Sequence, residues 1–121
     1  MDCVRTGQKA REEMTQADWG TLTWMASPQV GNAEGLTVGR CVIRPGQENP
    51  RHQHTTCEEV LFVISGKVEH TLGGESVILE AGDTIVVPRG VFHNARSIGD
   101  TDADMIVVFN SGNRDFVKET D

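Results

Sequence analysis

Turn signals recur along this chain every several residues, and that punctuation limits what it can fold into. Ser27-Pro28, Pro45-Gly46, Ser65-Gly66, Gly73-Gly74, Gly82-Asp83, Pro88-Arg89-Gly90 and Ser111-Gly112-Asn113 each interrupt the apolar patterning. Gly, Pro, Asn, Asp and Ser supply the backbone conformations and local hydrogen bonds that turns need. The segments between them are short and rich in β-branched and aromatic residues: 21–26, 36–44, 59–64, 67–72, 75–79, 84–87, 91–97, 103–110 and 114–118. Eight or nine short strands with no long amphipathic helix predict an all-β sandwich or barrel.

At 121 residues the chain has room for one domain with a modest core. Residues 1–18 are polar and charged and predict a flexible or draped N-terminal arm, leaving 19–118 as the barrel domain and 119–121 as a C-terminal tail. The longest apolar runs, 60–64 and 105–109, reach five residues, far short of the roughly 20 that cross a bilayer. The opening MDCVRTGQKAREEM lacks an apolar signal core, so a cytoplasmic protein without a membrane partner is expected. A net charge of -7 with scattered Lys and Arg argues against a nucleic-acid surface. Cys3, Cys41 and Cys57 are odd in number and lack CxxC spacing, which fits reduced thiols better than a disulfide framework or a zinc ribbon.

The stretch from Gly46 to Gly66, GQENPRHQHTTCEEVLFVISG, carries the chemistry. Residues two apart on an extended strand point to the same side, so His52 and His54 can aim both imidazoles at one point. Glu58 or Glu59 can supply an oxygen nearby. A second stretch, GDTIVVPRGVFHNARS from Gly82 to Ser97, adds His93. Three histidines and a carboxylate suit a divalent transition metal, and iron, manganese, nickel, copper and zinc all remain compatible.

These two stretches resemble the paired motifs of the cupins, a small double-stranded β-helix (jelly-roll) family. Gly46, His52, His54, Glu59 and Gly66 stand at the spacings of the first motif, and its gap to the closing glycine selects Glu59 over Glu58. Gly82, Pro88, Gly90 and His93 match the second, where Ser97 replaces a structural Asn and Asn94 stands nearby as a partial substitute. The resemblance covers roughly residues 36–109 and implies a cupin barrel with a short N-terminal arm. It further implies one divalent metal ion held by His52, His54, Glu59 and His93.

Hairpin arithmetic adds another residue. If Ser65-Gly66 closes a two-residue loop, Leu61 faces His70, and opposed residues share a face. His70 would then point inward beside the metal, placed to hydrogen-bond a substrate or move a proton. A register slip of one residue would turn it to solvent, and a plain core histidine is the third option. Arg40 and Arg44 share one strand face, where an inward Arg40 could grip a substrate carboxylate bidentately or extend to solvent. Cys57 reads as a loop cysteine or a pocket thiol. Phe62, Phe92 and Phe109 read as core, Asp83 as a turn residue and Arg89 as surface.

Three functions fit: a metal-dependent enzyme (dioxygenase, isomerase or lyase) acting on a small polar or carboxylated molecule, a non-catalytic ligand-binding or sensor module, and a storage protein. The full ligand set weighs against storage, and the lack of a basic helix-turn-helix weighs against a DNA-linked sensor. Trp19, Leu22, Trp24 and Met25 form an apolar group that one small barrel is not expected to bury alone, which with the cupin resemblance predicts a homodimer.

Overall fold

The computed structural model describes residues 2–120, so the outermost residues of the predicted arm and tail, Met1 and Asp121, lie outside it. The described chain forms one short helix, α1 (Gly7–Glu12), and eleven strands: β1 (Thr15–Ala17), β2 (Gly20–Ala26), β3 (Thr37–Ile43), β4 (His52–Gln53), β5 (Glu59–Ser65), β6 (Lys67–Leu72), β7 (Glu75–Glu80), β8 (Thr84–Val87), β9 (His93–Ser97), β10 (Ala103–Phe109) and β11 (Val117–Lys118). They assemble into two antiparallel sheets, ordered β1-β2-β3-β10-β5-β8 and β11-β4-β9-β6-β7. Turn spacing predicts an all-β sandwich or barrel, and this is the jelly-roll form of it that the cupin resemblance implies.

The core lies between the sheets, and side-chain alternation decides which residues reach it. On β10, Ala103, Met105, Val107 and Phe109 are buried while the residues between them are not. Full burial of a side chain such as Met105, Val107 or Phe109 contributes about 1.5–3 kcal/mol. On β3 the inward face is Thr37, Gly39, Cys41 and Ile43. Arg40 therefore points outward, which decides between its two readings in favour of solvent and removes it as an inward carboxylate grip. Its guanidinium donates twice to the Asp104 carboxylate on neighbouring β10, at 2.8 and 2.7 Å. Phe62 also faces out, 40% exposed beside Ile64; it stands one residue off the inward set Glu59, Leu61 and Val63.

The largest difference from the sequence reading is at Ser65-Gly66. β5 and β6 do not form a hairpin: β5 pairs with β10 and β8, whereas β6 pairs with β9 and β7. Leu61 lies opposite Val107 and Ile85, and His70 opposite Val77 and Ala95. The chain changes sheet at Gly66, whose φ is +90°. An added Cβ there would lie 2.5 Å from the Asp102 carbonyl oxygen and 2.8 Å from Ala103 Cα. The true hairpin is the next one, where Gly73-Gly74 joins Leu72 to Glu75.

The N-terminal segment is folded over the larger sheet. Thr6 caps α1 by accepting from Lys9 N at 3.1 Å, Arg5 Nε donates to the Trp24 carbonyl at 2.8 Å, and β1 pairs along β2 from Thr15↔Leu22 to Ala17↔Gly20. Paired structure thus begins before residue 19. At the other end Glu119 meets Arg51 Nε at 2.5 Å.

The two motif glycines should respond differently to substitution. Gly46 also has positive φ, +79°, but its missing Cβ would meet nothing within 4 Å. Gly46→Ala is expected to cost the left-handed backbone penalty alone, about 1–2 kcal/mol. Gly66→Ala adds a backbone clash and should cost at least about 3 kcal/mol, a ranking that urea denaturation measures directly.

Candidate metal centre

Two strands of the smaller sheet and one of the larger deliver the polar cluster. β4 and β9 are adjacent, with His52 directly opposite His93. Glu59 is the first residue of β5, opposite Phe109 and Val87, and faces them across the core. His54 follows β4 in the loop leading to β5. All four side chains are buried, and one ligand atom from each lies within 4.8 Å of every other.

The imidazole orientations are set from behind. His52 Nδ1 lies 2.7 Å from the Pro50 carbonyl oxygen, His54 Nδ1 2.5 Å from that of Asp115, and His93 Nδ1 2.9 Å from that of Val91. A carbonyl oxygen accepts only, so each Nδ1 carries the proton and each Nε2 turns its other side to the centre. Two of these Nε2 atoms approach the same carboxylate oxygen, Glu59 Oε1, at 3.2 Å from His54 and 3.1 Å from His93. His54 Nε2 lies off the axis a hydrogen bond requires and is a buried atom without a partner. Neutral imidazoles held this way aim lone pairs at a carboxylate, an arrangement that a cation between them would satisfy. The donor set therefore fits a divalent transition ion.

Electrostatics agree with a polar centre in a dry setting. Burial pushes the Glu59 carboxyl up, and His54 and His93 pull it below the usual carboxylate range only when a proton, or a cation in its place, stands on their Nε2 side. Burial pushes His52 down to about 4 and His70 likewise to about 4.

His70 is inward, 1% exposed, with its ring parallel to His93 at 5.9 Å. Its placement does not come from the hairpin argument. It follows from alternation along β6, where Val68 and His70 face in. His70 Nδ1 is buried without a hydrogen-bond partner. Cys57 is buried among core residues, whereas Phe92 is half-buried, Phe109 buried and Arg89 exposed. Asp83 accepts from Glu80 N at 2.8 Å, as a turn residue does. Asn94 accepts from Thr71 Oγ1 at 2.6 Å and donates to the Asn49 carbonyl at 3.0 Å, tying β9 to β6 and to the loop before β4.

A cavity of about 400 Å³ opens onto the four residues, with His70 in its lining. Trp19, Leu22 and Trp24, expected to need a second subunit, are half-buried against the core and form its wall. Trp24 lies over Gly39, where an added Cβ would come within 2.6 Å of the indole.

Sequence reasoning missed the segment before β11. The Asp115 carboxylate accepts from Thr55 N at 2.7 Å and Thr56 N at 3.2 Å, while its backbone oxygen orients His54. Phe116 stacks on His52 with ring centroids 4.5 Å apart. Arg114 lines the cavity. These contacts span about sixty residues of sequence, and no local pattern announces them.

Comparison with known proteins points the same way. The family profile described as "Cupin domain" matches residues 39–109. A germin-like protein 3-8 of Oryza sativa subsp. japonica is 38% identical over 85 residues, covering 66% of this chain and 38% of that protein. "Polyketide synthase CurC" of Streptomyces cyaneus is 31% identical over 87 residues, covering 72% of this chain and 56% of that protein. Among solved structures, a recombinant oxalate oxidase in complex with glycolate superposes with a TM-score of 0.77 at 28% identity, covering 86% of this chain and 57% of that one. The chain thus spans little more than half of these relatives, or less.

The lowered His70 pKa has a definite consequence for the metal-free protein. A histidine near 6.5 when unfolded and about 4 when folded binds its proton more readily in the unfolded state. Stability should therefore fall as pH drops from about 6.5 towards 4, by at most about 3 kcal/mol from this residue. Urea denaturation of metal-free protein across that range should show the decline, and His70→Gln should make it shallower.

Proposed function

The chain belongs to the cupin family, and from that premise we propose that it is a metal-dependent enzyme acting on a small polar or carboxylated molecule. His52, His54, Glu59 and His93 hold one divalent ion in this reading. The observation that carries it is the set of three imidazoles, each oriented through Nδ1 by a backbone carbonyl, so that their Nε2 atoms face one buried carboxylate. A divalent ion bound there supplies Lewis-acid polarisation of a substrate oxygen and, where the ion is iron or copper, redox chemistry with dioxygen.

The protein's own residues perform the remaining tasks. Trp19, Leu22, Trp24 and Phe109 wall the cavity and limit water at the reacting centre. His70 handles protons: burial keeps its ring neutral at pH 7, with one nitrogen able to accept and the other to donate. The glycolate complex of the related oxalate oxidase supports a small oxygen-rich acid as the kind of molecule such a site takes. Homodimerisation belongs to the same proposal, and its support now comes from the exposed Phe62, Ile64 and Val86 on the outer side of the larger sheet.

Elemental analysis of untagged protein after dialysis tests the reading. Wild-type protein should retain close to one equivalent of a transition metal, and the His52→Ala/His54→Ala double variant should retain none while keeping its β-rich circular dichroism. Equal metal content in the two proteins would sink the assignment. Wild-type protein that neither carries nor takes up any transition ion would favour a ligand-binding module instead.

A further inference from the structure

Arg114 is a half-buried cation, and among the described residues no carboxylate comes within ion-pair distance of it. It lies between β10 and β11 and lines the same cavity as His52, His54, Glu59 and His93. Its Nε is fully buried with no hydrogen-bond partner among the described residues. The other well-placed arginines differ: Arg5, Arg40 and Arg51 each meet a carboxylate, Glu13, Asp104 and Glu119 respectively. Arg114 instead sits among aromatic rings, its guanidinium carbon 4.8 Å from the Trp24 centroid, 5.1 Å from that of Phe109 and 5.9 Å from that of Phe116. Cation–π contacts recover part of the hydration that a guanidinium loses on burial, but they leave the in-plane Nε–H donor unused. Burial lowers its pKa, and the Glu59 charge opposes that shift; an arginine remains charged throughout.

The backbone that carries Arg114 is fixed to the polar centre. Asp115, the next residue, binds the Thr55 and Thr56 amides and orients His54, and Phe116 stacks on His52. The guanidinium is therefore held in place relative to the candidate ligands. Charge balance adds a separate argument. Glu59 and Arg114 cancel one another, so a divalent ion leaves the cavity with two positive charges in excess, which an anionic ligand offsets. The rest of the lining is mostly apolar, with Trp19, Leu22, Trp24, Met105, Phe109 and Phe116, and its polar members besides His70 are the uncharged Thr15, Asn49 and Asn94.

We infer that Arg114 is the anion-recognising residue of this cavity, and that the substrate carries its carboxylate on an aromatic or other apolar body. The inference rests on the metal-enzyme reading above for turnover, while the Arg114 contact itself is testable by binding alone. Planar guanidinium and planar carboxylate match through paired N–H donors, and the aromatic rings around Arg114 suit a flat apolar body beside that pair.

Benzoate and benzamide, alike in size and shape but differing in charge, are the probes. Their binding to zinc-loaded wild-type, Arg114→Gln and Arg114→Lys proteins would be followed by calorimetry and by tryptophan fluorescence, which reports on Trp24 and Trp19. Arg114→Gln should weaken benzoate at least about 10-fold, equivalent to about 1.4 kcal/mol, and leave benzamide within about 2-fold. Arg114→Lys should recover part of the loss. Melting temperature should hold or rise in Arg114→Gln, because a half-buried charge without a carboxylate partner is removed; a purely structural arginine would lower it. Three results overturn the inference: no saturable benzoate binding to wild type, equal weakening of both probes, or unchanged benzoate affinity in Arg114→Gln. Arg114-dependent benzoate binding in protein that takes up no zinc would instead sink the metal reading and leave this one standing. Protein that loads zinc but shows no Arg114 dependence would do the reverse.

Discussion

Three backbone carbonyls, those of Pro50, Val91 and Asp115, determine what the centre of this protein is. Each takes the Nδ1 proton of an imidazole, and in doing so commits the opposite nitrogen to the interior. Without that commitment the histidines would be free to choose tautomers and hydrogen-bond the Glu59 carboxylate as ordinary buried polar residues. With it, the interior holds more acceptors than donors. The sheets serve that arrangement: the His52↔His93 pairing brings two rings to one height, and β5 brings Glu59 up opposite them at its first inward position.

How much of this was legible in the sequence depended on the range of the interaction. Alternation is local, so the shared direction of His52 and His54 could be read from spacing, whereas Glu59 over Glu58 and the full set with His93 followed from the resemblance to the cupin motifs. Turn chemistry is local too, and Gly73-Gly74 closes a hairpin as its residues suggest. Ser65-Gly66 looks the same in sequence but carries the chain from one sheet to the other. What separates the two is the Asp102–Ala103 backbone packed against Gly66, a contact between distant segments that no local pattern encodes. His70 was placed inward by an incorrect pairing and lies inward for another reason, because period-two alternation along β6 holds whichever strand lies beside it. Arg40 could not be decided from its own segment. Its strand face was left open between core and solvent, and packing chose Thr37, Gly39, Cys41 and Ile43 for the core.

The segment from Arg114 to Phe116 shows why a site can extend beyond its motif. None of the three residues belongs to either histidine stretch, yet one orients His54, one stacks on His52 and one places a cation in the cavity wall. A group that orients a ligand from behind is typically worth about 10–100-fold in metal affinity. The local sequence RDFVK is an unremarkable charged-aromatic run; its significance exists only once β11 has paired with β4.

The same arrangement ties folding to whatever fills the cavity. Among the described residues, His54 Nε2, His70 Nδ1 and Arg114 Nε are buried side-chain atoms without partners, and all three residues line one cavity. Buried polar groups left unpaired each cost on the order of 1–3 kcal/mol, an appreciable part of the roughly 5–15 kcal/mol that holds a small domain together. A ligand that supplies partners to these atoms binds the folded chain only and stabilises it by mass action. Concentrating the unpaired atoms in one place, rather than scattering them through the core, lets one binding event satisfy several at once.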